Sequence, residues 1–451
     1  MCELYRNGSC AAMTTTTVGD FYSIAQEWEL LCDQTYLIRL ATSIQMFGLL
    51  IGVLLFGQLS DAFGRKRMVM IAVSGLTLCG CLSSASHHWT LFIALRLAVG
   101  FFTGGAMTTN YVFVIEFLPN RHRLWFNTLL GWSPMIVLFA LVAVLLPNWR
   151  TLGVVCNLVG GLPFLLLLYF LVESPRWLIS RGHLDRARAA LRTVAVKWNR
   201  QRLPDADIEH VIYEEMSRIS KKGGGSETKQ YTFWHLFYDR RLACYTCVMA
   251  MTWFTVSCTS YTIMFNVGRL SGSIYLNLIF YGLLRWAISG LAVSLDLFLP
   301  KFGRKAYHTA PVVVILLGMG ATTYVVSTGQ ARSMGQYVRA LNLLSASMTA
   351  LLWLVAYLLA AELFPTPVRN LANAFSSMFA RVAVVLAPQI LYLGDHWAAL
   401  PYLFILIINA VEVVAFLVVV PETKGRPLPE HMPTKRSLEK GRNEGATVAL
   451  A

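Results

Sequence analysis

Long apolar segments separated by polar loops run along most of the chain. Runs of roughly 20 apolar residues can cross a hydrocarbon core about 30 Å thick. They predict eleven membrane-spanning helices, near 37–59, 68–86, 91–113, 125–146, 151–172, 242–266, 274–298, 307–327, 337–361, 371–394 and 399–420. A soluble protein would need an improbably large core to bury so many apolar helices. The pattern therefore predicts an all-α polytopic membrane protein, with five spans in the first half and six in the second.

Composition and charge agree with this prediction and orient the chain. The 451 residues are 56% hydrophobic and have a mean hydropathy of +0.55, above the range of soluble domains. The formal charge of +14 falls in alternate loops, which is the positive-inside pattern of membrane proteins and not a nucleic-acid-binding surface. We therefore expect no nucleic-acid partner.

The same charge pattern predicts the organisation of the chain. It comprises an extracellular segment at 1–36, an N-terminal bundle at 37–172, a cytoplasmic segment with amphipathic helices at 173–241, a C-terminal bundle at 242–420 and a cytoplasmic tail at 421–451. Asn7 begins an Asn-Gly-Ser acceptor triplet, which agrees with an outside N-terminal segment and predicts glycosylation there. We expect a multi-pass protein of the plasma membrane.

Four features of the first half return in the second half in the same order. They are the FGRK tetrapeptides at 63–66 and 302–305, the arginines Arg96 and Arg339, the Glu-Pro-Arg patterns at 116–123 and 362–369, and the glutamates Glu173 and Glu422. A single four-letter match would mean little, but an ordered set indicates an internal duplication. Duplicated bundles that rock about a site near the bilayer midplane are typical of transporters.

The duplicated loops predict gating residues. Their cations can meet a carboxylate or the negative C-terminal end of a helix in one conformation and leave it in another. The predicted gating residues are Asp61, Gly64, Arg65, Lys66, Arg96, Glu116 and Arg123 in the first half and Gly303, Arg304, Lys305, Arg339, Glu362 and Arg369 in the second. The alternative is that the basic turns only anchor the chain by the positive-inside rule.

Several motifs resemble those of the major facilitator superfamily. The loop GQLSDAFGRK at 57–66 and the span start RLAVG at 96–100 are similar to its signatures. Four further stretches narrow the resemblance to its organic cation, anion and zwitterion (carnitine-like) transporters: EWELLCDQTYL (27–37), VESPRWLISRG (172–182), AELFPTPVRNLANAFSSMFARVAVVLAP (361–388) and PETKGRPLPE (421–430). The resemblance implies twelve helices, an ectodomain after the first, and a central cavity for bulky organic ions.

The chain departs from that family in two places. The counterpart of the span at 242–266 would lie near 3–27, which is too polar to cross a membrane, so we expect this chain to lack the family's first helix. We expect the loss of a helix from the cavity wall to impair transport. The second basic loop reads LPKFGRK, so Asp61 has no equivalent there and the two gates need not be equally strong.

Two arginines lie inside predicted spans. Placing a charge in the hydrocarbon core costs free energy, so such residues usually have a functional or a structural partner. Arg381 and Arg285 are predicted to attract the carboxylate or sulfate of an organic anion or zwitterion. The resemblance agrees, because cation-selective members usually carry an acidic residue at the position of Arg381. The alternatives are a structural pair between Arg381 and Glu412, and snorkelling of Arg285 toward a headgroup.

Aromatic side chains in the spans are candidates for the rest of the pocket. Rings can stack on many organic ligands and hold a quaternary ammonium by cation–π attraction. The candidates are Tyr111, Trp132, Trp253, Phe254, Tyr261, Tyr281, Trp353 and Tyr357. For each ring, core packing or a place in the interfacial aromatic belt is an equal alternative. Tyr261 is favoured because the resembled family has a cavity tyrosine there.

These observations predict a secondary transporter or facilitator for small organic ions of the cation, carnitine or anion class. Its partners would be that ion and the lipid bilayer, and the need for a coupling ion stays open. A non-transporting protein of the same fold and a sugar carrier are the alternatives. No nucleophile triad, metal-ligand cluster or phosphate-binding loop occurs, so we expect no enzyme activity, metal or cofactor.

Overall fold

The computed structural model describes residues 21–30, 34–118, 131–198, 204–223, 232–298 and 303–424. Its helices in chain order are α1 (Ile24–Glu27), α2 (Thr35–Phe63), α3 (Arg65–Ala85), α4 (Trp89–Phe117), α5 (Trp132–Leu145), α6 (Trp149–Phe170), α7 (Pro175–Ser180), α8 (Leu184–Arg192), α9 (Asp205–Gly223), α10 (Arg240–Asn266), α11 (Ile274–Phe298), α12 (Arg304–Ser327), α13 (Gly335–Leu363), α14 (Thr366–His396) and α15 (Leu400–Val419). Of the residues singled out above, Asn7 and Arg123 lie outside these ranges.

Ten of the described helices are long and apolar enough to cross a membrane. They correspond to ten of the eleven predicted spans. The remaining one, predicted at 125–146, is represented by the 14-residue apolar helix α5, because residues 119–130 lie outside the described ranges. The described residues contain no strand, only an isolated bridge between Tyr22 and Asn148. The prediction of an all-α polytopic membrane protein is confirmed.

The chain divides into two compact units, Met1–Thr228 and Lys229–Ala451. In the first unit α2 packs along α4, and α3 packs against both α4 and α6. In the second unit α10 packs along α14, α12 along α13, and α15 against α12 and α10.

Reciprocal glycines bring α2 and α4 into close contact. Gly48 and Gly52 on α2 face Gly100 and Gly104 on α4, and each set has the small-xxx-small spacing. A Cβ atom at Gly100 would lie 1.8 Å from the carbonyl oxygen of Gln45. In a bilayer, where packing drives helix association, such small residues let two backbones approach closely.

The segment before the first span is fastened to the loop between α5 and α6. The Tyr22 amide donates to the Pro147 carbonyl at 2.7 Å. The Glu27 carboxylate pairs with the Arg150 guanidinium and accepts a hydrogen bond from Trp149 Nε1 at 2.7 Å. Arg150 also donates to the backbone carbonyl of Ser84 at 2.7 Å. Arg150, in the first turn of α6, thus ties the segment at 21–30 to the C-terminal end of α3.

The helices α7, α8 and α9 bury their apolar sides against one another. Leu178 and Ile179 of α7 pack with Ile208 and Ile212 of α9. The amphipathic pattern that predicted helices between 173 and 241 therefore serves, at least in part, to form this small helical layer.

Candidate functional site

The first candidate site lies where α3 begins, and we call it the N-terminal loop cluster: Asp61, Arg65, Lys66, Glu116 and Glu173. Arg65 Nε lies 3.2 Å from Glu116 Oε1 at the end of α4, and Arg65 Nη1 lies 2.5 Å from Asp61 Oδ1. The side chains of Arg65 and Glu116 are each 15% exposed, so this ion pair is largely shielded from water. An arginine at the start of one helix thus joins the ends of two others.

Glu173 and Lys66 tie the end of α6 to the same place. Glu173 Oε1 accepts a hydrogen bond from the backbone amide of Lys66 at 2.8 Å. Lys66 Nζ donates to the carbonyls of Tyr169 at 3.1 Å and Leu171 at 2.5 Å, at the C-terminal end of α6. A carboxylate at the start of α3 and a cation at the end of α6 both complement the helix dipoles.

The C-terminal loop cluster repeats this arrangement at the start of α12, with Arg304, Lys305, Glu362, Glu422 and Thr423. Arg304 Nε lies 3.2 Å from Glu362 Oε1. Glu422 accepts hydrogen bonds from the amides of Arg304 at 2.7 Å and Lys305 at 3.1 Å. Thr423 Oγ1 donates to Glu362 Oε2 at 2.5 Å. Lys305 Nζ donates to the backbone carbonyl of residue 417, at the end of α15, at 3.2 Å.

The two helix-capping glutamates were absent from the predicted gating residues. Burial alone would raise the pKa of Glu422, but hydrogen bonds from the backbone amides of Lys424, Arg304, Lys305 and Thr423 outweigh it and hold the pKa below its usual value. One sequence signal could have identified Glu173 and Glu422. Each glutamate directly follows the last predicted span of its half of the chain, so the two correspond in the duplication.

Gly64 and Gly303 are required by the close approach of these glutamates. A Cβ atom at Gly64 would lie 2.7 Å from Glu173 Oε2, and one at Gly303 would lie 2.2 Å from Glu422 Oε2. Gly64 also adopts a φ of 111°, which side chains rarely tolerate, whereas Gly303 has a φ of −73°. The glycines of the repeated tetrapeptides therefore make room for the capping carboxylates.

The other predicted gating arginines lie elsewhere in the units. Arg96 donates to Gln45 Oε1 at 3.4 Å and lies 4.7 Å from the Phe92 ring centroid. Its position on α4 is 20 residues from Glu116, about 30 Å along the helix, so it does not join the N-terminal loop cluster.

Arg339 and Arg369 belong to the second unit. Arg339 lies 5.5 Å from the Phe280 ring centroid, near the start of α13, while Glu362 is near the end of that helix. Arg369 Nε donates to the carbonyl of Phe364 at 3.3 Å, which places a cation at the C-terminal end of α13.

The second candidate site lies inside the second unit, and we call it the interior arginine cluster: Arg285, Arg381, Tyr261 and Tyr281. Both arginines and Tyr281 are close enough to the Tyr261 hydroxyl to interact with it electrostatically. Arg285 Nη1 donates to Thr349 Oγ1 at 3.0 Å. The structure thus brings together four of the predicted substrate-binding residues, from α10, α11 and α14.

The predicted alternative of a pair between Arg381 and Glu412 is wrong. Glu412 is almost fully buried and lies 3.1 Å from His308 Nε2 and 2.5 Å from Thr252 Oγ1. Arg381 Nε is buried and has no hydrogen-bond partner among the described residues. The partners of Glu412 thus come from α12 and α10 and not from α14.

An open groove of about 770 Å³ lies between α11 and α13. It is lined by Phe280, Leu283, Leu284, Ala287, Gln336, Arg339, Ala340 and Leu343. Leu284 and Ala287 flank Arg285 on α11, and Arg339 supplies a cation to an otherwise mostly apolar wall.

The predicted aromatic residues fall into buried and exposed groups. Trp253 and Tyr281 are 1% and 2% exposed. The Trp253 ring packs edge-on against Trp353 and Tyr357, with centroids 5.5 and 4.7 Å apart. Tyr111 and Trp132, in the first unit, and Tyr357 are about half exposed. Trp253 and Tyr281 are thus enclosed by protein, whereas the other three rings are partly exposed.

Within the described ranges, no three His, Cys, Asp or Glu side chains lie together as candidate metal ligands.

Comparison with known proteins agrees with this architecture. The family model described as "Sugar (and other) transporter" matches residues 4–434. Solute carrier family 22 member 15 of Xenopus tropicalis is 30% identical over 425 residues, which cover 91% of this chain and 75% of that protein. The organic cation transporter protein of Drosophila melanogaster is 28% identical over 432 residues, which cover 95% of this chain and 75% of that protein.

Solved structures show the same fold. The inward open conformation of the xylose transporter XylE from E. coli superposes with a TM-score of 0.68 at 19% identity, covering 88% of this chain and 89% of that one. The proton:xylose symporter XylE bound to 6-bromo-6-deoxy-D-glucose, a major facilitator superfamily protein, superposes with a TM-score of 0.61 at 20% identity, covering 88% of each chain. At this identity the likeness shows the major-facilitator fold alone.

Proposed function

Because the chain belongs to the sugar (and other) transporter family and, within it, to solute carrier family 22, we propose that it moves small organic ions across the plasma membrane by alternating access. The family consists of transporters and not enzymes. A protein of this family spans the lipid bilayer several times and transports a small molecule. The interior of the second unit provides an argument about the chemical class and the charge of that molecule.

The substrate that this interior favours is an organic anion or a zwitterion. The observation that carries the proposal is the buried Nε of Arg381, which has no hydrogen-bond partner among the described residues; Arg381, like Arg285, lies near Tyr261. Glu412, the acidic residue within the described part of α15, is engaged by His308 and Thr252 and pairs with neither arginine. A carboxylate or sulfate would supply the missing charge, and a guanidinium binds either group in a planar, bidentate way.

The two loop clusters are proposed as the gates on the side predicted to be cytoplasmic. Each holds an arginine–glutamate pair at 3.2 Å and a glutamate that caps the following helix. Breaking one partly buried pair costs little enough to be reversed in a transport cycle, because a charge-assisted hydrogen bond contributes roughly 1.5–3 kcal/mol.

Uptake by cells that express the full chain at their surface tests the proposal. Labelled carnitine, an aromatic carboxylate, tetraethylammonium and xylose are compared, each with the wild type and with Arg381→Asp. We expect uptake of the carboxylate or carnitine, and a loss of about tenfold or more in the variant, since removal of a buried charge partner costs more than the roughly 1.4 kcal/mol of a tenfold change.

Two controls make the result specific. Arg381→Lys keeps the charge but not the planar fork and should retain part of the uptake, and Arg192→Asp changes an exposed arginine that pairs with Asp205 on the connecting helices. Uptake of tetraethylammonium alone would refute the charge argument. Uptake of xylose alone would favour a sugar carrier. A surface-expressed chain that moves none of the four would support the non-transporting alternative.

A further inference from the structure

An open groove of about 630 Å³ lies in the first unit, on the side predicted to be cytoplasmic. Its walls are the end of α2, the start of α3, the segment after α6, and the helices α7 and α8. We call it the basic groove, because its lining includes the basic side chains of Lys66, Arg67, His183 and Arg186. Of the described residues that line it, Glu173 alone is acidic.

The positive charge of the basic groove is not neutralised by the protein around it. Glu173 is occupied as a helix cap, since its Oε1 accepts hydrogen bonds from the amides of Lys66 at 2.8 Å and Ser174 at 3.0 Å. Among the described residues, Arg67 and Arg186 have neither an ion-pair partner nor a side-chain hydrogen bond. Two guanidinium groups from different helices therefore line one groove without a counter-charge.

Neighbouring arginines on α8 show that this lack of partners is specific to the groove. Arg188 Nε lies 2.5 Å from Glu209 Oε1, and Arg192 Nη2 lies 2.8 Å from Asp205 Oδ1, with both carboxylates supplied by α9. Arg186, on the same helix, lines the groove instead. The positive-inside rule explains why basic residues occur on this side of the membrane, but it does not explain why the unpaired ones share a groove.

Exposed apolar side chains lie next to the charged part of the groove. Phe63, at the end of α2, lines the groove and is 54% exposed, and Leu171 lines it directly after α6. Tyr169 and Phe170, the two residues before Leu171, are 70% and 75% exposed. Exposed aromatic rings at the end of a membrane-spanning helix are typical of the headgroup level of a bilayer. A ligand with a charged head and apolar chains would therefore find both kinds of surface here.

We propose that the basic groove binds an anionic phospholipid whose headgroup carries more than one negative charge, such as a phosphorylated inositol lipid. Arg67 and Arg186 would bind its phosphate oxygens, because a guanidinium matches a phosphate with two parallel hydrogen bonds. Two uncompensated guanidinium groups fit a headgroup with at least two negative charges better than one with a single charge. Basic clusters beside a membrane-spanning helix attract such lipids by charge.

The bound headgroup would connect two parts of the first unit. Arg67 lies in the first turn of α3, and Arg186 lies on α8 in the helical layer of α7, α8 and α9. A phosphate held by both arginines would add a link between the membrane-spanning helices and this layer. The inference does not depend on the proposed function, because binding is measured at equilibrium without a transported substrate.

Titration of the purified full chain in detergent with a short-chain phosphatidylinositol bisphosphate tests the site. A ligand that binds only the folded protein raises its unfolding temperature in a concentration-dependent way, which gives the affinity. We expect Arg67→Gln and Arg186→Gln each to weaken binding about fivefold, the equivalent of about 1 kcal/mol per arginine. The double variant should weaken binding about 25-fold if the two contributions add.

The double variant Arg188→Gln/Arg192→Gln is the matched control. It removes the same formal charge from the same region, but its two arginines are paired with α9 and do not line the groove. We expect it to weaken binding less than about twofold, as for other exposed charges away from a contact. Equal losses in the two double variants would overturn the proposal, because they would indicate general attraction to a positive surface.

A variant that keeps every charge tests the position of the site. Ala189 is an exposed residue of α8 that lines the groove, so Ala189→Trp would fill the groove without removing an arginine. We expect this variant to lose binding of the phosphatidylinositol bisphosphate. Binding with the affinity of the wild type would show that the lipid does not occupy the groove. This test also decides the question if an arginine variant does not fold.

Three further ligands identify the chemistry that is recognised. Phosphatidylcholine should not raise the unfolding temperature, and phosphatidylserine, with one net negative charge, should bind more weakly than the bisphosphate. Soluble inositol trisphosphate should also bind more weakly, because it lacks the chains that contact the apolar wall. Equal affinity for inositol trisphosphate would identify a soluble phosphate ligand and refute the lipid assignment. Equal affinity for phosphatidylserine would refute the need for more than one charge.

Discussion

Each charged side chain in the membrane-spanning helices has its own local environment, and these environments differ sharply. Glu412 is enclosed by His308 and Thr252, Arg285 bonds Thr349, and Arg381 keeps a buried nitrogen without a partner among the described residues. A buried polar atom without a hydrogen-bond partner is energetically costly, so a ligand that accepts a hydrogen bond from Arg381 would remove that cost.

At the residue scale we predict that Glu27→Gln destabilises the protein at neutral pH. The Arg150 guanidinium, helped by Trp149 Nε1, lowers the pKa of Glu27 against the opposing effect of burial. A carboxylate with a lowered pKa contributes stability that is present above its unfolded pKa of about 4.3 and is lost as the pH falls through the lower folded pKa.

The expected loss at pH 7 is about 2 kcal/mol, typical of a hydrogen-bonded charge that is mostly shielded from water. Thermal unfolding of the purified protein at pH 7 and at pH 3 measures it, and the variant and the wild type should converge at the lower pH. Glu29→Gln, two residues away, is the control. A difference that stays constant down to pH 3 would contradict the assigned role of the charge.

At the scale of elements, glycines decide how closely helices pack. Gly48, Gly52, Gly100 and Gly104 let the backbones of α2 and α4 touch, whereas Gly64 and Gly303 let a carboxylate reach the start of α3 and of α12. The same residue type thus serves helix association within the span and helix capping at its end.

We predict that Gly100→Ala destabilises the first unit. The added Cβ would lie 1.8 Å from the Gln45 carbonyl oxygen, and the helices must separate to admit it. Overpacking of this kind costs about 1–3 kcal/mol, which should appear as a lower unfolding temperature of the purified protein.

Gly160→Ala is the matched control on α6 of the same unit. A Cβ atom there would meet nothing within 4 Å, so the substitution should leave the unfolding temperature unchanged or raise it slightly. Equal effects of the two alanines would show that backbone entropy, and not the contact between α2 and α4, determines the result.

At the scale of the whole molecule, the duplication gives each unit the same cluster of an arginine–glutamate ion pair and a helix-capping glutamate. The Arg65–Glu116 and Arg304–Glu362 pairs have the same 3.2 Å separation, and each adjoins a glutamate that caps the next helix. The units differ in detail, because Asp61 adds a second carboxylate to Arg65, while Thr423 binds Glu362.

If both clusters act as gates, charge reversal in either unit should impair transport and an exchange of partners should restore it. We predict that Arg65→Glu or Arg304→Glu lowers uptake about tenfold at equal surface expression, the effect of losing roughly 1.4 kcal/mol. The exchanges Arg65→Glu/Glu116→Arg and Arg304→Glu/Glu362→Arg should recover much of it.

The exposed pair Arg188–Glu209 on the connecting helices is the control, since reversal there should change uptake less than about twofold. Full uptake by either single reversal would refute a gating role for that cluster. Restoration by exchange in one unit only would limit the role to that unit.

The sequence alone determined the architecture. The apolar runs predicted the spans, and ten of them correspond to helices of crossing length. The repeated loops predicted the duplication and identified the arginine and glutamate of each pair. These features could be predicted because hydrophobicity, spacing and charge are properties of residues near one another in the sequence. In a bilayer, a long apolar segment must also satisfy its own backbone hydrogen bonds, which favours an α-helix.

Only the tertiary structure decided which groups meet. His308 and Glu412 lie about a hundred residues apart, and sequence reasoning considered Arg381, as an alternative, for the partner of Glu412. It noted Glu173 and Glu422 as part of the repeat but not as gating residues, because their role depends on a carboxylate reaching the amides of a distant helix. Such pairings are set by the rotation and depth of each helix in its bundle, and these follow from the packing of all the helices together.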